Sequence, residues 1–259
     1  MGKITLPFRS SFRFWPALLC AAVFATPCLA QAPITNGLVA RWTGDGNAKD
    51  SAGHFDGEVS GGLRYVPGPS AGQAFQFNGG EAKVDFGNSI GNFGTRDFTV
   101  AFWMKTDSKI PLEAFLDKKP TCDGRYSHWT ITSGGGEPRV AGILVFAICK
   151  GVNTTSDCLL SSRPVNDGQW HHIAWVRQST SSGSITGLAY LDGALDNSKS
   201  YPEVVDVANQ SPLLLGRDTC ECCDGRRAYS GAAAELQLFS HALTAEEILA
   251  IYKAGKPDK

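Results

Sequence analysis

Nine short runs rich in β-branched and aromatic residues, each cut off by a cluster of Gly, Asn, Asp, Pro or Ser, set the strongest limit on what this chain forms. They are LVARW (38–42), AFQF (74–77), FTVAFWMK (98–105), HWTIT (128–132), GILVFAIC (142–149), WHHIAWVRQ (170–178), ITGLAYL (185–191), PLLLG (212–216) and AELQLF (234–239). The breaks include PGPSAG, FNGG, TSGGGEP, VNDGQ, STSSGS and LDGAL. Strand-length runs punctuated in this way predict an all-β sandwich or barrel. A helical pattern enters only near the end, where LTAEEILAIYKAG spaces Leu243, Ile248, Leu249 and Tyr252 on one side. Thr244 and Glu247 form a capping box in sequence, and Gly255 is expected to close the helix. No charge block or repeat divides residues 37–255, which read as one domain followed by a tail, 256–259.

The first thirty residues stand apart. Lys3, Arg9 and Arg13 precede an apolar stretch, residues 14–25, that is too short to span a bilayer. Small residues follow and end at Ala30, so residues 1–30 are expected to be a secretory signal peptide and 31–36 a linker. The mature chain is then secreted, or periplasmic or otherwise extracellular. Losing three basic residues and no acid takes the formal net charge from −1 to −4. With no polybasic stripe, nucleic acid is not an expected partner. With no later long apolar run, no membrane span is expected in the mature chain. Six of the eight cysteines lie beyond the leader, at 122, 149, 158, 220, 222 and 223. An even number in an exported chain points to disulfides. CECC (220–223) lacks the paired Cys-x-x-Cys spacing of a structural zinc site. Cys149 and Cys158 flank a hairpin tip and pair across it if their Cα atoms come within about 7 Å.

NDGQWHHIAWVRQ (166–178) places two histidines between two tryptophans. Neighbouring side chains of a strand point to opposite faces. Trp170, His172, Ala174 and Val176 therefore share one face, and His171, Ile173, Trp175 and Arg177 the other. The two histidines cannot both reach one metal. A tryptophan on each face predicts a strand covered on both sides, with Asp167-Gly168 supplying the turn before it.

Seven segments, taken in order, carry a family resemblance: GLVARWTGDGNAKDSAGHFDGEVSGGLRYVPG, GQAFQFNGGEAKVDFGN, FTVAFWMKT, VNDGQWHHIAWVRQ, AYLDGAL, LLLGRD and YSGAAAELQLFSHALTAEEI. On these segments the chain resembles the LamG-like jelly-roll domain of the concanavalin A-like lectin/glucanase superfamily. The resemblance implies an all-β, two-sheet antiparallel jelly-roll sandwich with one short C-terminal helix. It also implies a glycan or extracellular protein partner, with enzymatic activity optional. Similar secreted domains pair a cysteine before one strand with one in a later loop, which implies Cys122–Cys220, or Cys222 as partner. The remaining thiols are left for an intermolecular bond or a free state.

Related domains often hold a structural calcium. Asp45, Asn47 and Asp50 are closely spaced oxygen donors of the kind a hard cation prefers, so Asp45 and Asp50 are candidate ligands. The alternative is an Asx-rich turn bonding its own backbone. The family's last-strand Asp falls at Ala234 here, which removes one expected ligand. Glucanases of the superfamily carry Glu-x-Asp-x-x-Glu on a strand, since retaining hydrolysis needs carboxyls about 5–5.5 Å apart. Here the nearest match is Glu81 and Asp85, with Gly87 and Asn88 where a third acid would stand, so both read as a solvated edge. Glu235 reads as surface.

CDGRYS and CDGRRAYS form a near-repeat. If a disulfide joins those loops, Arg125, Tyr126, His128, Asp224, Arg226, Arg227 and Tyr229 form a ligand-binding patch, with Asp218 and Trp129 beside it. Aromatic faces stack on sugar rings and charged groups bond hydroxyls. The competing reading is that the charges pair within the loops and Trp129 fills the core. The sequence thus points to a secreted, non-catalytic module for carbohydrate or a matrix glycoconjugate. A protein–protein adhesion domain and a glycan-cleaving enzyme of the same fold are the alternatives.

Overall fold

The computed structural model describes residues 1–2, 33–121, 126–134, 139–150, 158–219 and 228–256. Residues 31–259 make one compact unit. Its elements are β1 (Leu38–Trp42), β2 (Glu58–Ser60), β3 (Arg64–Pro67), β4 (Gln73–Asn78), β5 (Lys83–Asp85), β6 (Phe98–Lys105), β7 (Glu113–Lys118), β8 (Ser127–Ser133), β9 (Leu144–Lys150), β10 (Cys158–Leu160), β11 (His171–Ser179), β12 (Ile185–Leu191), β13 (Ala194–Tyr201), β14 (Leu214–Leu215), β15 (Ser230–Phe239) and α1 (Ala245–Gly255). The described strands form two antiparallel sheets. Sheet A runs β13-β12-β11-β6-β15-β4-β3, with β1 also on β15; sheet B runs β10-β9-β8-β7-β14-β5-β2. Among the described residues this is the jelly-roll sandwich with one short helix that the family resemblance implies.

Alternation along β11 explains the core. Ile173 and Trp175 face sheet B, where Phe98 meets the Trp175 ring edge-on at 5.3 Å and stacks on Phe93 at 4.2 Å. Ala174 and Val176 face outward, where α1 lays Ile248 and Ile251 over them with Ala101 and Phe239. Both faces are therefore buried, and large apolar side chains taken out of water on each side stabilise the strand.

α1 begins as its sequence predicts. Thr244 Oγ1 accepts from the Glu247 N–H at 3.2 Å, and Glu247 Oε2 accepts from the Thr244 N–H at 2.8 Å. Its end differs. Gly255 remains helical and the extended Lys256 is the C-cap. Gly255 is needed for space instead, because a Cβ there would lie 2.5 Å from Trp103 Nε1.

β7 is a strand the apolar pattern did not predict. EAFLDK is buried throughout, charges included. Lys118 Nζ donates to the carbonyls of Asn88 and Ser211, and Asp117 accepts from the N–H and hydroxyl of Thr219. Buried charge persists only with such partners. Burial pulls the Lys118 ammonium down to about 8 and pushes the Asp117 carboxyl up to about 6, the latter against Lys119 and the Thr219 bonds.

Candidate functional site

The two histidines of β11 divide as alternation requires. His171 Nδ1 and Nε2 lie 2.9 Å from Asp192 and 3.1 Å from Asp167. Its pKa is raised by the hydrogen bond to Asp192, against the opposing effect of burial. His172 sits on the outer face beside Trp103 and Tyr252, 1% exposed, and neither ring nitrogen has a partner among the described residues. Burial lowers it to about 4, against the pull of Asp192. They share no ligand, and both belong to the framework.

Asp45 and Asp50 are both engaged by backbone donors. Asp50 Oδ1 accepts from the N–H groups of Arg41 and Ala52, and Oδ2 from that of Phe55. Burial raises this carboxyl, but these backbone donors outweigh it and hold the pKa below the ordinary value. Asp45 Oδ1 accepts from the Gln73 N–H at 3.1 Å. Four backbone N–H groups thus bond these two carboxylates, the pattern of an Asx-rich turn.

Only three residues of the expected ligand patch, Tyr126, His128 and Tyr229, fall among the described residues. Arg125, Asp224, Arg226, Arg227, Cys122 and Cys220, with Cys222 and Cys223, lie outside the described residues. Tyr126 is exposed, whereas His128 is 7% exposed on the outer face of β8 with Nδ1 2.8 Å from the Tyr126 carbonyl. Tyr229 corrects the expectation. It is wholly buried between Phe77 and Phe115, and its hydroxyl donates toward the Lys105 and Ala232 carbonyls. A ring enclosed in the core cannot stack on a sugar. Trp129 fills the core as well.

The two buried acids of β7 do not form a hydrolytic pair. Asp117 is opposite Thr130 and Glu113 opposite Ser133, with a register shift between Ala114 and Leu116. Thr130 and Ser133 have opposite parity along β8, so the carboxyls face opposite sides of the sheet. Glu81 is exposed and paired with Arg217.

A hollow the sequence did not reveal lies on the outer face of sheet A, with a volume of about 450 Å³. Register builds its floor: Gln76 and Lys105 both pair with Ala232. The loop before β11 brings the half-buried Trp170, and the turn after β6 brings Asp107. Thr106 locks that turn through its carbonyl to the Gly168 N–H and its hydroxyl to the Ser230 carbonyl. Gly231 keeps the floor open at φ 151°, because a Cβ there would lie 2.4 Å from the Lys105 carbonyl. Gln76 Nε2 donates to the Phe77 and Gly231 carbonyls, which leaves Oε1 as an acceptor. The Lys105 and Asp107 side chains are exposed and take no hydrogen bond or ion pair within the described residues. A recess combining an indole with a few convergent polar groups is the usual form of a small-ligand site.

A family model, Laminin_G_3 of the concanavalin A-like lectin/glucanases superfamily, matches residues 78–249, and the chain belongs to this family. No curated protein matches it in sequence. Its fold is similar to the binding domain of Paraclostridial Mosquitocidal Protein 1, at TM-score 0.64 and 18% identity, over 84% of this chain and 52% of that one. It is similar to domain 4 of AbnA, a GH43 extracellular arabinanase from Geobacillus stearothermophilus, in complex with arabinotriose. That likeness has TM-score 0.61 and 18% identity and covers 83% of this chain and 98% of that one. It is also similar to the binding domain of Botulinum Neurotoxin DC in complex with SialylT, at TM-score 0.63 and 14% identity, over 86% and 52%. The chain spans about half the length of the toxin binding domains. At these identities the likeness is one of fold. Among the described residues no helix is long and apolar enough to cross a membrane.

Proposed function

We propose that the chain is a secreted, non-catalytic carbohydrate-binding module whose sugar site is the Trp170 hollow. One observation carries this reading: a half-buried indole shares a recess with Lys105, Asp107 and Gln76 Oε1, all with unused bonding capacity. The indole offers an apolar face to a sugar ring, while the ammonium and carboxylate take hydroxyls as acceptor and donor partners. The solved neighbours support a binding role, since they are binding domains or carry an oligosaccharide. Export is proposed from the leader that ends at Ala30.

A glycan array that includes arabino- and sialyl-oligosaccharides tests the reading, followed by titration of Trp170→Ala and Lys105→Ala. Binding is expected in the parent and at least about tenfold weaker in Trp170→Ala, the loss of roughly 1.4 kcal/mol. Lys105 is exposed, so its truncation spares the fold. Full binding in both variants would move the site elsewhere, and shortened sugar products would replace binding with catalysis.

A further inference from the structure

A second hollow, about 490 Å³, lies farther along β15, between α1, β1 and the segment that precedes β1. Its floor depends on an irregularity in the strand. β15 shifts register against β6 between Ala234 and Gln237, and Glu235 adopts φ 54° in the left-handed region. A non-glycine residue held there is strained. Bulges of this kind re-aim a side chain. Here the bulge accompanies a carboxylate set on Arg41 of β1: Glu235 Oε2 accepts from both Arg41 Nε and Nη2 at 2.8 Å.

Half of that ion pair is unused. Glu235 Oε1, Arg41 Nη1 and the Gln237 amide take no hydrogen bond within the described residues, and all three side chains line the hollow. The opposite wall is apolar, with Ile34, Leu38 and Ile251. No other charged side chain lines the hollow, so its net charge is zero. A singly charged ligand would find no counter-charge to spare, because Arg41 and Glu235 already neutralise each other. A zwitterion would have to compete with the existing 2.8 Å contacts. A hydroxyl both donates and accepts, so neighbouring hydroxyls satisfy Oε1 and Nη1 while leaving the ion pair intact.

We propose that the Arg41–Glu235–Gln237 hollow is a second, separate site for a neutral sugar, bound with its hydroxyls on the ion pair and its apolar face on the helix wall. The proposal rests on the glycan reading of this face of sheet A but not on the Trp170 hollow itself. The Trp103, Trp170 and Tyr252 side chains gather over Ala74, Ala232 and Ala234, which are at most 3% exposed, and so divide the two hollows. Two sites on one face let a polymeric glycan bind through avidity without new contacts.

The test titrates methyl β-galactopyranoside, methyl β-glucopyranoside and methyl α-arabinofuranoside, with glucuronate as an anionic control, into the ¹⁵N-labelled protein. A neutral glycoside is expected to shift the Gln237 side-chain amide and the Gly255 backbone amide, to keep doing so in Trp170→Ala, and to do so more strongly than glucuronate. Gln237→Leu, which removes no internal bond, is expected to weaken that site by at least about fivefold, the scale of one lost hydrogen bond; Glu235→Gln is the second variant should Gln237→Leu misfold. If glycosides shift only the Trp170 indole N–H, the second site is overturned and the first stands. If Gln237 shifts and Trp170 does not, the first reading fails and this one stands. Loss of the Gln237 shift in Trp170→Ala would show one site rather than two. No shift at either place would remove both.

Discussion

His171 and His172 are consecutive on β11, yet their pKa values move in opposite directions. His171 gains from its hydrogen bond to Asp192, and its folded pKa is raised. His172 loses hydration between Trp103 and Tyr252 and falls to about 4. A raised histidine contributes stability below its unfolded pKa and loses it as pH rises through the folded value. A lowered one does the reverse: His172 favours the fold above about 6.5 and loses that contribution as pH falls toward 4. Proton NMR titration is expected to show one histidine titrating above the ordinary imidazole value and another still neutral at pH 5. His172→Leu should recover on the order of 2 kcal/mol at pH 4.5 relative to the parent's loss from pH 7. Coincident titration of the two rings would contradict their placement on opposite faces.

Glu113 makes the opposite prediction at alkaline pH. It is fully buried, with Oε1 accepting from the Ser230 N–H, and Oε2 has no hydrogen-bond partner within the described residues. Burial pushes its carboxyl up to about 7, against the bonds from Ser108 and Ser230. The folded state then binds more protons than the unfolded state from about pH 4.5 to 7, so stability falls as pH rises through that window. Glu113→Gln is expected to be more stable than the parent at pH 8 by roughly 1–3 kcal/mol, and to lose that advantage at pH 4. Urea unfolding at the two pH values measures the difference.

What the sequence made legible was whatever local chemistry decides. Alternation fixed the two faces of β11, Asp167-Gly168 marked its turn, and Thr244 with Glu247 marked the start of α1. β7 stayed hidden because Glu113, Asp117 and Lys118 read as solvent-facing, and only the carbonyls and N–H groups brought by distant loops make their burial tolerable. The Trp170 hollow was illegible for a similar reason. Gln76, Lys105, Asp107 and Trp170 are far apart in the chain, and the β4-β15-β6 pairing, with the two locked turns, brings them together. The bulge at Glu235 left no sign in AELQLF, so a floor residue looked like plain surface.

The two tyrosines of the expected patch should now separate. Tyr229 packs edge-on against Phe115 at 5.0 Å and bonds two backbone carbonyls, so Tyr229→Ala is expected to cost about 3–5 kcal/mol, as other large core truncations do. Tyr126 is exposed, and its truncation should stay within about 0.5 kcal/mol. Thermal melts of the two single variants give the answer. Equal melting temperatures would return Tyr229 to the surface.

Cys149 and Cys158 make the last prediction. The β9–β10 ladder sets Cys158 opposite Ala147, so Cys149, two residues beyond Ala147 on the same strand, shares its face in the diagonal position. Diagonal neighbours lie about 7–8 Å apart, just past the reach of an undistorted disulfide, so bridging them takes a small backbone shift at the strand ends; both side chains are half-buried. We propose that the oxidised protein joins them at the ends of β9 and β10. Closing a loop of about ten residues stabilises by roughly 2–3 kcal/mol in the chain-entropy model. Peptide mapping without reduction is expected to recover the two cysteines in one linked fragment. Cys158→Ser should lower the melting temperature of the oxidised protein and leave that of the reduced protein nearly unchanged. Recovery of Cys149 and Cys158 in separate unlinked fragments, with equal melting of parent and variant under oxidising conditions, would show that the hairpin is held by its ladder alone.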